Sequence, residues 1–183
     1  MSTAPTSVET AGAWAVDPSH SSVHFTVRHL VSKVRGSFGA LTGVITAGDR
    51  PEDAKVEGEI EVSSINTNDA NRDNHLRSAD FFEVEKYPKA TFTSTRIEIR
   101  GERRFAVHGD LTLKGVSKPV IWEAEYLGQA TDAYGNVKQA FEATTTVNRE
   151  DWGLTWNAAL EAGGMLVGKD VTIEAEIQLA KQG

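Results

Sequence analysis

The chain contains no cysteine, no long apolar run and no excess of basic residues. Disulfides, thiolate nucleophiles and zinc–thiolate sites are therefore excluded. No stretch reaches the roughly 18 apolar residues that a membrane-spanning helix needs. Lysine and arginine number 19 against 26 aspartates and glutamates, which gives a formal net charge of −7. This balance argues against nucleic acid or an anionic membrane surface as the main partner, although a local basic patch could outweigh the sum.

The first residues lack the basic and apolar regions of a secretory signal peptide. We therefore expect a cytoplasmic protein. The small, polar residues at the start predict a disordered tail over residues 1–12. The remaining length favours a single domain over residues 13–183.

Signatures of catalysis are also missing. The chain has no Gly-x-Ser-x-Gly elbow, no His-Glu-x-x-His motif, no phosphate-binding loop and no Gly-x-Gly-x-x-Gly after a strand. His20 and His24 are four residues apart, which is metal-ligand spacing on a helix, but their segment alternates as a strand. His24 is therefore expected on the polar face, and no metal site is predicted. Glu150 and Asp151 are expected to cap a turn, with Arg149 as an ion-pair partner.

Alternation of apolar and polar residues dominates what is present. It is clearest over residues 54–62, where one face carries Ala54, Val56, Gly58, Ile60 and Val62 and the other carries lysine and glutamate. Residues 171–179 repeat the pattern, with Val171, Ile173 and Ile177 expected to be buried. About eight such segments without a βαβ rhythm predict an all-β protein with an antiparallel barrel or sandwich. The long strands favour an eight-stranded antiparallel barrel, because closure removes exposed edges.

Two irregularities are expected within these strands. A single strand over residues 34–46 carries three glycines, which allow sharp bends. In the strand that begins near Ala90, Phe92 and Ile97 have opposite phases, which indicates a bulge between them.

Residues 66–92 are the one clear interruption of the alternation. Asp69 or Asn71 can cap a short helix over about residues 72–78, because a side-chain oxygen there accepts hydrogen bonds from the first turn. Phe81 and Phe82 follow the helix, and Pro88 prevents it from continuing. One helix and an aromatic pair beside a barrel predict a partial lid.

Several sequence blocks resemble the YceI-like family. They are WAVDPSHSSVHFTVRH (14–29), GSF (36–38), SINT (64–67), DNHLRSADFF (73–82), YPKATF (87–92), GDLTLKGVSKPV (109–120) and NREDWGL (148–154). The resemblance implies a lipocalin-like barrel with an internal apolar channel that encloses a long isoprenoid or other lipid chain. Many relatives carry a signal peptide, which is not seen here, and many have Phe where Trp152 stands.

The candidate ligand-binding residues are mainly large and apolar. Each alone can equally be ordinary core, but together with the glycines they suggest a channel with shaped walls. The set comprises Phe25, Phe38, His75, Phe81, Phe82, Phe92, Trp122, Phe141, Trp152, Trp156 and Met165. Arg72, His75 and Arg77 near the lid, with Asn148 and Arg149 beyond the opposite loop, are candidates for contacting a polar head group.

The sequence therefore predicts a non-catalytic carrier or sequestering protein for a lipid-like small molecule. It needs no cofactor beyond a bound isoprenoid or fatty-chain lipid. Two alternatives remain open: an enzyme acting on a lipid-like substrate, and a structural or interaction barrel with a filled core. Whether two chains form a homodimer is also open.

Overall fold

The structure, a computed structural model, describes residues 11–160 and 163–182. These residues form ten strands and one α-helix: β1 Gly12–Val16, β2 Ser22–His29, β3 Ser32–Phe38, β4 Thr42–Ala47, β5 Lys55–Glu61, α1 Ala70–Arg77, β6 Lys89–Ile99, β7 Arg104–Leu113, β8 Val116–Thr131, β9 Val137–Asn148 and β10 Val167–Lys181. Most of the tail predicted over residues 1–12 lies outside the described residues, and Gly12 already belongs to β1. The part of the chain described contains no helix with the length and apolarity needed to cross a bilayer.

All strands belong to one antiparallel sheet that closes into a barrel. The strand order is β1-β4-β5-β6-β7-β8-β9-β10-β2-β3, and β1 also pairs with β10. The long β10 uses one edge for both partners, pairing Leu179 with Val16 of β1 and Glu176 with Ser22 of β2. β1 and β2 thus share one position in the wall, and β3 and β4 share the next. The ring has eight positions, so the predicted eight-stranded barrel is confirmed.

The two doubled positions arise because the chain leaves the sheet and returns to it. Between β1 and β2, Pro18–His20 forms a 3-10 turn that Asp17 caps by accepting a hydrogen bond from the Ser19 amide. The single strand predicted over residues 34–46 is in fact divided into β3 and β4. At the break, both the amide and the carbonyl of Gly39 bond to the Ser64 hydroxyl. The break therefore joins this wall to the segment that follows β5.

The bulge predicted in β6 is present. The pairing of β6 with β7 shifts register between Ser94 and Arg96, which brings Ile97 onto the same face of the sheet as Phe92. The phase change in the sequence therefore correctly indicated an extra residue in this strand.

Helix α1 forms in the polar segment, as predicted, but it begins two residues before the predicted start. The Asp69 carboxylate accepts a hydrogen bond from the Arg72 amide, so Asp69 is the cap. The buried Asp73 accepts hydrogen bonds from the amide and hydroxyl of Thr67, which fixes the helix to the preceding loop. Leu76 faces the inside of the barrel. The polar helix is held mainly by these bonds because it has little apolar surface of its own.

The two ends of the barrel carry connections of different length. At one end, here called the lid end, lie α1, the loop up to β6, the segment 149–166 and the short β2–β3 and β7–β8 turns. At the other, here called the far end, short loops join β4 to β5, β6 to β7 and β8 to β9. The interior thus has one elaborate end and one simple end.

Inward-facing residues follow the predicted alternation, but most are not packed. Of those expected to be buried, Val62 is 3 % exposed. Val56, Ile60, Val171, Ile173 and Ile177 are only half-buried, although all five line the interior. The expectation of full burial was wrong because these side chains face internal space rather than opposing side chains.

Candidate binding site in the barrel

The interior contains a cavity of about 750 Å³. Every position of the barrel wall contributes to it, because alternate residues of each strand point inward. The half-buried apolar residues on its wall include Val23, Phe25, Val27, Val34, Ile60, Phe92, Val107, Trp122, Phe141, Val147, Val171, Ile173 and Ile177. Such a wall can exclude water and hold an apolar chain by surface contact alone.

The far end of the interior carries a packed cluster, beside which Ala47, Pro51 and Ala54 also line the cavity. Ile97, Phe105 and Tyr126 form a buried cluster against which Val56 and Phe141 pack. Tyr126 and Phe141 stand 5.3 Å apart between ring centroids. Trp14, 2 % exposed, and Gln139, 3 % exposed, also lie towards this end. Trp14, Ile97, Phe105 and Gln139 line the cavity and form its floor, and Tyr126 packs against this group.

Aromatic rings form the boundary at the lid end. Phe38 lies 5.5 Å from Phe25 and 6.0 Å from Phe82, centroid to centroid, so it links the wall to the lid. Phe81 and Trp156 are 5.4 Å apart. Phe81 is 7 % exposed, whereas Phe82 is half-buried. Both rings line the cavity, but they differ in packing: Phe81 is buried, and Phe82 is only partly covered.

His75 connects α1 to this aromatic group. Its ring lies 5.2 Å from Phe81 and 4.7 Å from Trp156, both in edge-to-face geometry. Its Nε2 is 2.9 Å from a carboxylate oxygen of Asp80. Because His75 also lines the cavity, it places an imidazole ring within an otherwise aromatic rim.

The predicted head-group residues divide into two roles. Arg72 lines the cavity while donating hydrogen bonds to the hydroxyl and carbonyl of Thr67. Arg77 instead donates to the carbonyls of Ser63 and Ile65, and it is not on the wall. Arg77 thus holds the loop in place, and of the three candidates near the lid only Arg72 and His75 reach the interior.

Arg149 is buried at 5 % exposure and lines the cavity near Trp156. Its guanidinium donates to four backbone carbonyls, those of Leu154, Trp156, Val167 and Gly168. Burial lowers the pKa of Arg149 because a charged group is less stable away from water. The side chain joins the segment after β9 to the start of β10.

The ion pair expected for Arg149 was wrong, as was the expected cap. The turn after β9 is capped by Asn148, which accepts a hydrogen bond from the Glu150 amide. Glu150 pairs instead with Lys169 at 3.5 Å. The sequence did not reveal this, because the acceptors of Arg149 are backbone atoms that only the fold brings together.

Ten of the eleven predicted ligand-binding residues lie on the cavity wall. The exception is Met165, which is absent from the wall and 53 % exposed. The prediction also missed Trp14, Leu76 and His29, all of which line the cavity. A signal for His29 was available, since it shares its strand phase with the inward-facing Phe25 and Val27. His24 is exposed, as predicted.

No group of three histidine, aspartate or glutamate side chains suited to a metal occurs among the residues described. The lining of the cavity is mainly apolar, with the hydrogen-bonding side chains of Arg72, His75 and Arg149 at the lid end.

A closed eight-stranded barrel around an apolar cavity, with a helix at one end, defines a lipocalin-like barrel. The YceI-like domain family matches residues 14–179. The chain therefore belongs to the YceI-like family.

Curated relatives share this region at moderate identity. A UPF0312 protein of Photorhabdus laumondii is 42 % identical over 73 % of this chain and 70 % of its own length. A UPF0312 protein of Staphylococcus aureus is 38 % identical over 90 % of this chain and 95 % of its own. The Staphylococcus aureus relative thus matches most of this chain, and the Photorhabdus laumondii relative about three quarters of it.

Solved structures share the fold. The YceI protein of Campylobacter jejuni is 30 % identical, with a TM-score of 0.71 over 85 % of this chain and 90 % of that one. BcnA of Burkholderia cenocepacia has a TM-score of 0.77 at 20 % identity, covering 89 % and 98 %. A polyisoprenoid binding domain from Saccharophagus degradans has a TM-score of 0.71 at 17 % identity, covering 92 % and 98 %. At such identities, the last two establish a common architecture only.

Proposed function

We propose that this protein binds a long isoprenoid or another lipid-like chain inside the barrel and carries or sequesters it without chemical change. The observation that carries the proposal is the cavity of about 750 Å³ with its apolar wall. A volume of this size falls within the range of about 300–1,000 Å³ typical of small-molecule sites. The Saccharophagus degradans domain of the same fold, which is described as polyisoprenoid-binding, supports this choice of ligand class.

The energetics favour an extended apolar ligand. Each methylene-sized group removed from water contributes about 0.8 kcal/mol. Ten such groups would contribute about 8 kcal/mol, of which the losses of translational freedom and ligand flexibility cancel a part. Micromolar or tighter binding is expected from a longer chain, with no catalytic group required. A polar end of the ligand would lie at the lid end, where Arg72 and His75 reach the wall.

The filled-barrel alternative predicts side chains throughout the interior, and the cavity speaks against it. The enzyme alternative requires a reacting group beside the ligand, and His75 is the wall residue best suited to that role. Its contact with Asp80 and two aromatic rings favours a positioning role at the rim instead. We therefore keep binding as the proposed function.

The first test is mass spectrometry of an organic extract from the purified protein. A co-purifying isoprenoid or fatty chain, recovered unchanged after incubation, is the expected result. A chemically altered ligand would favour the enzyme alternative.

The second test fills the cavity from the wall. Ala143 lines the cavity on β9, whereas its neighbour Thr144 is exposed on the outer face. Ala143→Trp should abolish binding of a fluorescent prenyl chain, because the indole occupies the space of the ligand. Thr144→Trp is the matched control and should bind like the unchanged protein. Equal binding by both variants would contradict an internal site.

A further inference from the structure

The turn between β2 and β3 is unusually apolar for an exposed two-residue turn. It consists of Leu30, 47 % exposed, and Val31, 94 % exposed. Leu30 has a φ of 53°, a left-handed conformation that such turns normally give to asparagine or glycine. Neither burial nor turn geometry accounts for these two side chains.

Met165 extends this apolar surface. The amide of Leu30 donates to the carbonyl of Leu166 at 2.9 Å, which places the turn beside the segment that carries Met165. Met165 is 53 % exposed. Leu30, Val31 and Met165 are called the apolar tip below. An exposed apolar cluster of this kind commonly marks a surface that meets a membrane or another molecule.

The hairpin below the apolar tip is basic although the protein is acidic. No aspartate or glutamate occurs between Asp17 and Asp49. Arg28, Lys33 and Arg35 are all exposed on this hairpin, and none forms an ion pair with a described residue. This is a local basic patch of the kind that can outweigh a negative net charge.

Neighbouring charges do not cancel this patch. Lys169 pairs with Glu150 at 3.5 Å. The exposed Asp170 lies in the irregular part of β10 opposite Arg28, but outside ion-pair distance of it. An anionic surface that approaches along the hairpin therefore meets Arg28, Lys33 and Arg35 without ion-pair partners among the described residues.

The apolar tip also adjoins the cavity. His29, at the base of the turn, and Leu166 and Val167, beside Met165, all line the cavity wall. The tip stands at the lid end, where α1 and the aromatic rim lie. A surface bound to the tip would thus be close to the lid end of the cavity.

We propose that the apolar tip inserts into the interface of an anionic lipid bilayer while Arg28, Lys33 and Arg35 contact lipid phosphates. Ligand exchange with that bilayer, which rests on the proposed function, is the purpose of the contact. Apolar residues at the head-group boundary leave water, and each nearby cation strengthens binding to anionic lipid about fivefold. The two contributions are adjacent on one hairpin, which suits a flat anionic surface.

The test is flotation of the whole protein with phosphatidylcholine vesicles, with and without phosphatidylglycerol. Binding should appear with the anionic vesicles and weaken as salt rises. Val31→Asp should reduce it at least about tenfold, because a carboxylate replaces an inserted apolar group. Lys33→Gln should reduce it about fivefold. Both side chains are exposed, so neither change should alter the unfolding midpoint.

Matched controls lie at the far end of the barrel. Tyr134, 90 % exposed, and the exposed Arg104 offer Tyr134→Asp and Arg104→Gln, which should float like the unchanged protein. No flotation with anionic vesicles, or equal loss in tip and control variants, would overturn the proposal. If the apolar tip instead binds a protein partner, the protein should not float with anionic vesicles.

The proposed function is tested separately on the same samples by extraction and mass spectrometry. Flotation without any extractable or added ligand in the cavity would count against ligand binding and leave docking intact. A ligand retained in the cavity without flotation would support ligand binding and count against docking to the bilayer.

Discussion

The two ends of the barrel differ in packing and in the length of their connections, although the same strands run through both. At the far end, Phe105 and Tyr126 pack against each other, and short loops close the sheet. At the lid end, longer segments carry α1, the aromatic rim and the buried Arg149. Loops on a rigid scaffold commonly carry function. The contrast shows that the strands supply the wall, while the connections give the two ends different side chains.

The largest expected effect is at Arg149, on which the lid end depends. Arg149→Met should lower the free energy of unfolding by at least about 4 kcal/mol, because four carbonyls lose their donor. The measurement is urea unfolding followed by tryptophan fluorescence. Lys169→Met, an exposed neighbour, is the control and should change stability by less than about 0.5 kcal/mol. Similar midpoints for the two variants would show that the lid end does not rest on this side chain.

The second prediction compares the packed floor with the open wall. Phe105→Ala should cost about 3–5 kcal/mol, because it leaves a hole in close-packed surroundings. Ile173→Ala should cost only about 1 kcal/mol, because Ile173 already faces free space and little contact is lost. Urea unfolding of protein stripped of ligand gives both values. Equal costs would indicate that the wall is as closely packed as the floor.

The third prediction separates the two neighbours in the lid. Phe82→Ala should weaken retention of a prenyl ligand by about tenfold, because Phe82 borders the cavity, while costing about 1 kcal/mol of stability. Phe81→Ala should cost about 3–4 kcal/mol, because Phe81 is packed against His75 and Trp156. Ligand dissociation rates and unfolding midpoints, measured on both variants, decide this. If both variants lose ligand retention and stability in the same proportion, Phe81 and Phe82 have the same role.

The smallest effect concerns Asp17, which holds the break between β1 and β2. Hydrogen bonds from Lys138, at 2.9 Å, and then from Ser19 and His20 lower the pKa of Asp17 well below its usual value. The resulting stabilisation, on the order of 1 kcal/mol, is therefore present above about pH 4 and is lost as the pH falls further.

Replacing the carboxylate checks this prediction. Asp17→Asn should lower stability at pH 7 and flatten its dependence on pH below about pH 4. If the stability of Asp17→Asn still falls below about pH 4 as steeply as that of the unchanged protein, other carboxylates cause this dependence. Asp49→Asn, at an exposed carboxylate, is the control and should leave the curve unchanged.

The sequence by itself determined most of the strands, the bulge in β6 and a short helix capped at Asp69 or Asn71. These features depend on neighbours in the chain: alternation selects a face, and a side-chain oxygen satisfies amides one turn away. The aromatic wall was predictable only as a set: inward phase and apolar character coincide at Phe25, Phe92 and Phe141, but each alone could also be ordinary core.

Only the tertiary structure decided which inward residues pack and which face the cavity. Ile173 and Leu179 have the same phase in the same strand, yet Leu179 is 1 % exposed and Ile173 is half-buried. Their difference depends on what other strands place opposite them, which alternation does not encode. The surroundings of Arg149 and Met165 also depend on other segments. Backbone carbonyls from other segments surround Arg149, and the turn at Leu30 contacts the segment that carries Met165. Contacts between residues far apart in the chain form only when the barrel closes. The geometry of the closed barrel therefore determines which inward residues are packed and which face the cavity.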